Sequence, residues 1–192
     1  MTTYYIKGNG NDSSDGLSLA NAFKTLVKAV TVAANNDTIL IDASNGTIFI
    51  NSENECALIT KNNLTIKGIN GMPKIDGRDT WPTPNKKLTY PTAEWPTVVP
   101  YTGKALIRVN AHNVTIENIE VQNSAGSGIA YGTDSVRRNG GTVRNVKIHG
   151  IRWQPMSMNY INNGLIEDSE FYDGGIYCPT AIDSQGDYRT GS

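Results

Sequence analysis

Three stretches decide the fold: VTIENIEVQN (Val114–Asn123), GTVRNVKIHG (Gly141–Gly150) and GLIEDSEFYD (Gly164–Asp173). Anchoring Ile116 on Val143 and Ile166 brings Ile119 onto Val146 and Ser169, and Val121 onto Ile148 and Phe171, with offsets of 27 and 23 residues. NLTIKGI, from Asn63, fits the same template with Ile66 as its anchor. Within each stretch apolar and polar residues alternate, which is the period of a strand. The polar columns alternate in sign: Glu117, Arg144 and Glu167 in one, Glu120, Lys147 and Glu170 in another. Stacked as parallel strands, these charges lie ~4.8 Å from opposite charges. Such exposed pairs add little stability, but they set register, because a slipped stack brings like charges together.

Between the apolar positions runs a further column, Gly68, Asn118, Asn145 and Asp168. These residue types tolerate left-handed backbone, so they mark a tight bend between two strands of one coil. A second repeat, GIAY at Gly128, GIRW at Gly150 and GIYC at Gly175, with ALIRV at Ala105 as its earlier member, supplies another strand per period. A period of ~20–30 residues means a solenoid. Short strands with no helix in the period predict an all-β parallel β-helix. The L-x-x-L-x-L spacing and asparagine position of leucine-rich repeats are absent.

Upstream, Ala22, Leu26, Ala29, Val30 and Ala33 recur at helical spacing and predict one amphipathic helix from Ala20 to about Ala34, ended by Asn35 and Asn36. Laid over the first coil, such a helix covers an otherwise exposed core and strand edge. The preceding GNGNDSSDG, Gly8–Gly16, links a first strand, TYYIK, to this helix. Its glycines are followed by no GK[ST], which argues against a phosphate loop. Asp12 and Asp15 are the calcium candidates, at a spacing that is not that of an EF-hand.

YYIKGNGNDSSDGLSLANAFKTLVKAV followed by NNDTILI resembles the N-terminal cap of the pectate-lyase-like right-handed β-helix superfamily; IDG at Ile75 and NVTIENIEV are similar to that group as well. The resemblance spans nearly the whole chain. It implies a single right-handed, single-stranded parallel β-helix domain over 1–192, with a strand and helical cap in 1–36 and coils in 37–192. It is specific for fold, because the superfamily holds lyases, hydrolases, epimerases, phage tailspikes and inert shafts. In its lyases a basic side chain removes the proton α to a uronate carboxylate, which calcium or arginine neutralises.

The repeat is interrupted at 77–103 by a segment with five prolines, Trp81, Trp95, Tyr90 and Tyr101. Proline cannot donate to an inner ladder, so this is a loop leaving the stack. Its tryptophans either wall a groove and stack on sugar rings or lie buried against the coils. In the GI strands Ile129, Ile151 and Ile176 are expected to point inward, which sends Ala130, Arg152 and Tyr177 outward, with Arg108 in the same column. Tyr131, Trp153, Asp134, Arg137, Arg138 and Asp183 lie nearby, and this face suits an acidic polysaccharide. Arg152, His149 and Asp183 are the catalytic candidates. Arg108, Trp81, Trp95, Tyr131, Trp153 and Tyr177 are the candidate substrate contacts. His149 shares an exposed stack with Gln122 and Tyr172. Lys147, between Glu120 and Glu170, and Asp168, in the bend column, read as structural. Asp168 with Asp173, or Asp173 with Asp183, are the carboxylate pairs a hydrolase would need.

The 192 residues carry a net charge of −1 with well-mixed signs, which gives no support to a nucleic-acid or membrane-surface partner. No apolar run reaches the ~18 residues of a membrane span. Only 38% of residues are hydrophobic and 19 are glycine, which favours short strands and turns over long helices. Cys56 and Cys178 make no disulfide framework and read as small buried hydrophobes. Met1 is followed by polar sequence with no secretory apolar region; with the family resemblance, this predicts an extracellular or virion-associated protein. AIDSQGDYRTGS reads as another coil in progress, so the native chain is expected to continue or another subunit, as in a homotrimer, to cover the open end. Two functions follow: a carbohydrate-active protein that binds and cleaves an acidic polysaccharide, or a non-catalytic structural or adhesive β-helix of a virion or surface fibre.

Overall fold

The computed structural model describes residues 1–50, 53–77, 104–124, 126–151 and 153–174. Among them the fold is mostly β, and every strand pair is parallel. The strands are β1 (Thr3–Lys7), β2 (Thr38–Asp42), β3 (Ile48–Phe49), β4 (Ala57–Ile59), β5 (Thr65–Ile69), β6 (Lys74–Asp76), β7 (Ile107–Val109), β8 (Val114–Ser124), β9 (Ile129–Tyr131), β10 (Arg138–Ile151), β11 (Met156–Met158), β12 (Ile161–Glu167) and β13 (Glu170–Phe171). A nine-stranded sheet runs β1-β2-β5-β8-β10-β12, with β6 beside β8, β3 beside β6 and β13 beside β10. A four-stranded sheet runs β4-β7-β9-β11. Chain order is kept along both sheets, so successive coils add strands in sequence. The result is a parallel-β-helix-like arrangement, without a closed barrel.

The predicted register holds across the larger sheet. Ile116 pairs with Val143 and Val143 with Ile166, and the charged columns align as Glu117–Arg144–Glu167 and Glu120–Lys147–Glu170. The files extend upstream, where Lys67 pairs with Glu117 and Lys74 with Glu120. Inward positions of both sheets, among them Ile39, Ile66, Ile116, Val143, Ile107 and Ile129, form one core of fully buried side chains. Cys56 is buried in that core, as expected. On the last described rung Ile166 and Phe171 keep 43% and 38% exposure, where their equivalents Val143 and Ile148 have none.

Asparagine fixes the bends through its tolerance of positive φ. Asn118 (φ 56°), Asn145 (49°) and Asp168 (50°) form the predicted file. Two more files were missed. Asn36, Asn63, Asn113, Gly140 and Asn163 turn the chain near the starts of β2, β5, β8, β10 and β12, and Asn123, Gly150 and Asp173 turn it near the ends of β8, β10 and β13. Side-chain bonds link them from coil to coil: Asn63 Nδ2 donates to Asn36 Oδ1, Asn113 Nδ2 to Asn63 Oδ1 and Asn145 Nδ2 to Asn118 Oδ1.

Three expectations need correction. Gly68 is not a left-handed bend: it lies within β5 opposite Ile41. A β-carbon there would sit 1.9 Å from the Asn118 carbonyl oxygen, so glycine serves a close approach, and the bend falls at Asn70 (φ 56°). The helix is shorter than Ala20–Ala34. It spans Leu26–Val32, capped by the Thr25 hydroxyl, which accepts from the Lys28 N–H (α1). Phe23 is instead held extended beside β1, its N–H donating to Tyr5 and its carbonyl accepting from Lys7. α1 packs on β1 and on β4, the edge of the smaller sheet, and buries Leu26, Ala29 and Val30. Third, the strand that continues β9 is Met156–Met158, not GIRW. Gly150 is a left-handed bend at the end of β10, and Ile151 pairs with Ser124. The motif matched in letters but fell in a different part of the coil.

Candidate functional site

The outward column of the smaller sheet is Leu58, Arg108, Ala130 and Ser157, in that order across four coils. Arg108 alternates with the buried Ile107 and Val109, which points its side chain away from the core. The Arg108 Nε is buried and has no hydrogen-bond partner among the described residues. The guanidinium is always charged, and a buried donor left unpaired costs about 1–3 kcal/mol. A carboxylate is the acceptor that fits its fork of donors. Arg108 therefore holds the column predicted for it, whereas the corrected register gives the equivalent position two coils on to Ser157 and not to Arg152.

Nearby charges satisfy one another. Both Arg138 Nη atoms donate to Asp134, at 2.6 Å each, and these bonds hold the Asp134 carboxyl down at about 2. Arg137 donates to Asn162 Oδ1 at 3.1 Å.

The outer face of the larger sheet carries a second cluster. Glu120 Oε1 accepts from Lys74 Nζ at 2.8 Å and lies 3.1 Å from His149 Nε2. Burial would raise the Glu120 carboxyl, but Lys74 and His149 outweigh it and hold it below the usual range. The His149 ring stacks on Tyr172 with centroids 4.7 Å apart and planes 3° apart. Lys147 pairs with Glu170 at 3.2 Å, and Gln122 Nε2 donates to Asp76 Oδ2 at 2.7 Å. His149 thus sits beside Gln122 and Tyr172 as expected, and Lys147 lies between acidic neighbours.

No family model matches this chain, and no curated protein matches its sequence. Solved structures do match. One is pectate lyase Pel9A, with a TM-score of 0.63 at 18% identity over 90% of this chain. Another is a rhamnogalacturonan lyase, with a TM-score of 0.50 at 15% identity, also over 90%. The chain has a pectate-lyase-like fold. It spans 40% and 52% of the lengths of those two proteins.

On this pectate-lyase-like scaffold the predicted site residues separate. Arg108 and Trp153 lie on the side of the smaller sheet. Trp153 is half-buried, its backbone N–H on the Gly126 carbonyl, just before β11. His149 belongs to the larger sheet. Tyr131 is no ligand contact: it is fully buried in the core, and its hydroxyl donates to the Val114 carbonyl at 3.2 Å. Alternation explains the miss, because Ile129 and Tyr131 both point inward from either side of Ala130. Asp12 and Asp15 make bonds within the chain. Asp12 accepts the Lys24 and Thr25 N–H groups and the Thr25 hydroxyl, and so ties the turn to the start of α1. Asp15 accepts from the Leu17 N–H. No group of three or more His, Cys, Asp or Glu placed to hold a metal occurs among the described residues. Trp81, Trp95, Arg152, Tyr177 and Asp183, and residues 78–103 of the loop expected at 77–103, lie outside the described residues.

Proposed function

We propose that the protein is a right-handed, single-stranded parallel β-helix that binds an acidic polysaccharide across the outward face of its smaller sheet. The observation that carries this reading is Arg108, a half-buried cation whose Nε finds no acceptor among the described residues. A uronate carboxylate supplies that acceptor, and the next positions in the column are the small residues Ala130 and Ser157. Two neighbours in fold are named as lyases of pectate and rhamnogalacturonan. They support lyase-type cleavage as the reaction to test. Binding of oligogalacturonate, measured by calorimetry, is expected to weaken at least tenfold in Arg108→Ala and less in Arg108→Lys. Absorbance of unsaturated uronates reports cleavage. Unchanged binding in Arg108→Ala, or no binding across a panel of acidic polysaccharides, overturns the reading.

A second reading, a non-catalytic structural or adhesive β-helix, is favoured by the larger sheet. There Glu120, Lys147 and Arg144 are all engaged with cross-coil partners. Regular trimers in solution, with binding but no cleavage, would select it.

A further inference from the structure

We propose that the outer face of the larger sheet around Tyr172 and His149 is a second sugar site, built for an uncharged sugar. The charges of this patch cancel among themselves: Lys74 with Glu120, and Lys147 with Glu170. Among the described residues an acidic chain finds no spare cation here, in contrast to Arg108 on the other sheet. The uncharged polar and aromatic groups are what remain to offer a ligand.

His149 is oriented for that purpose. Its Nε2 lies 3.1 Å from Glu120 Oε1, which leaves Nδ1 as the ring nitrogen turned to a ligand. Nδ1 has no hydrogen-bond partner among the described residues, and the side chain keeps 20% exposure. Tyr172 lies flat on the imidazole and remains 48% exposed. Its backbone N–H donates to the Ile148 carbonyl, which ties this residue to β10. A broad aromatic face beside an imidazole nitrogen suits the apolar C–H face of a pyranose and its equatorial hydroxyls.

This site is independent of Arg108, and the test separates them. Calorimetric or NMR titration of the full chain uses a neutral hexose tetrasaccharide panel beside the matching uronate tetrasaccharide. The expected result is saturable binding of a neutral member that does not fall with added salt. Tyr172→Ala and His149→Ala are each expected to weaken it at least tenfold, Tyr172→Phe to preserve most of it, and Arg108→Ala to leave it unchanged. Circular dichroism confirms that the variants fold. No saturable binding to any neutral member, unchanged binding in folded Tyr172→Ala, or binding lost with salt overturns the proposal.

Discussion

Asp42 shows how a single carboxylate can tie two coils together. It is almost fully buried at the end of β2 and accepts from the Ser44 N–H and hydroxyl, from Asn45 Nδ2, and from Asn70 Nδ2 of the next coil. Burial alone would raise its pKa; the bonds from Asn70, Ser44 and Asn45 outweigh burial and bring it from 3.8 to about 2. A carboxylate depressed on folding stabilises the fold above its unfolded pKa and loses that stabilisation as pH falls through the folded value. The loss is therefore expected between about pH 4 and pH 2, and amounts to about 2 kcal/mol. Asp42→Asn should lower the melting temperature at pH 7 by roughly 4–8 °C for a chain of this size. It should also remove that part of the acid sensitivity, which thermal melts at pH 7 and pH 3 compare. An unchanged melt at both would show that the network carries no net stability. No spacing rule singles out Asp42, since three of its donors come from one local turn and the fourth only after the coil has come round.

At the scale of the element, the asparagine bends govern how strand follows strand. Asn118 holds φ near 56°, and its Nδ2 donates to the carbonyls of Gly68 and Gly71 while its Oδ1 accepts from Asn145. Backbone tolerance and side-chain bonding can be separated by substitution. Asn118→Gly keeps the left-handed conformation and loses the bonds; Asn118→Ala loses both. Alanine should therefore be the less stable variant by about 1–2 kcal/mol, read as the difference between their denaturant midpoints multiplied by a common slope. Equal losses would mean that the bonds alone matter. The file through Asn118 and Asn145 was legible because it falls between two apolar positions of an alternating strand. The files through Asn63 and Asn113 and through Asn123 and Gly150 were not, because asparagine at the edge of a strand looks like any loop residue. Gly150 was misread for the same reason: a glycine before isoleucine can open a strand or close one.

Across the whole molecule, stability should be uneven. The middle rungs bury both faces of the core, whereas Ile166 and Phe171 on the last described rung are more than a third exposed. Hydrogen exchange is expected to be slowest at Ile116–Val121 and Val143–Ile148 and clearly faster at Leu165–Tyr172. Uniform protection would contradict a stack whose stability depends on neighbouring coils. The stacking order itself was written in the chain. Alternating strands at offsets of 27 and 23 residues, with charges of alternating sign, admit few other arrangements, and the observed pairing of Glu117 with Arg144 and of Arg144 with Glu167 follows them. That information is local and periodic, so it survives without coordinates. The surfaces were not legible in the same way. Tyr131 looked like a sugar contact and proved to be core, while Arg108 stood out once its Nε was found without an acceptor among the described residues. Whether a side chain meets solvent, a partner or nothing depends on how residues tens of positions apart converge across coils, and a linear pattern carries no record of that convergence.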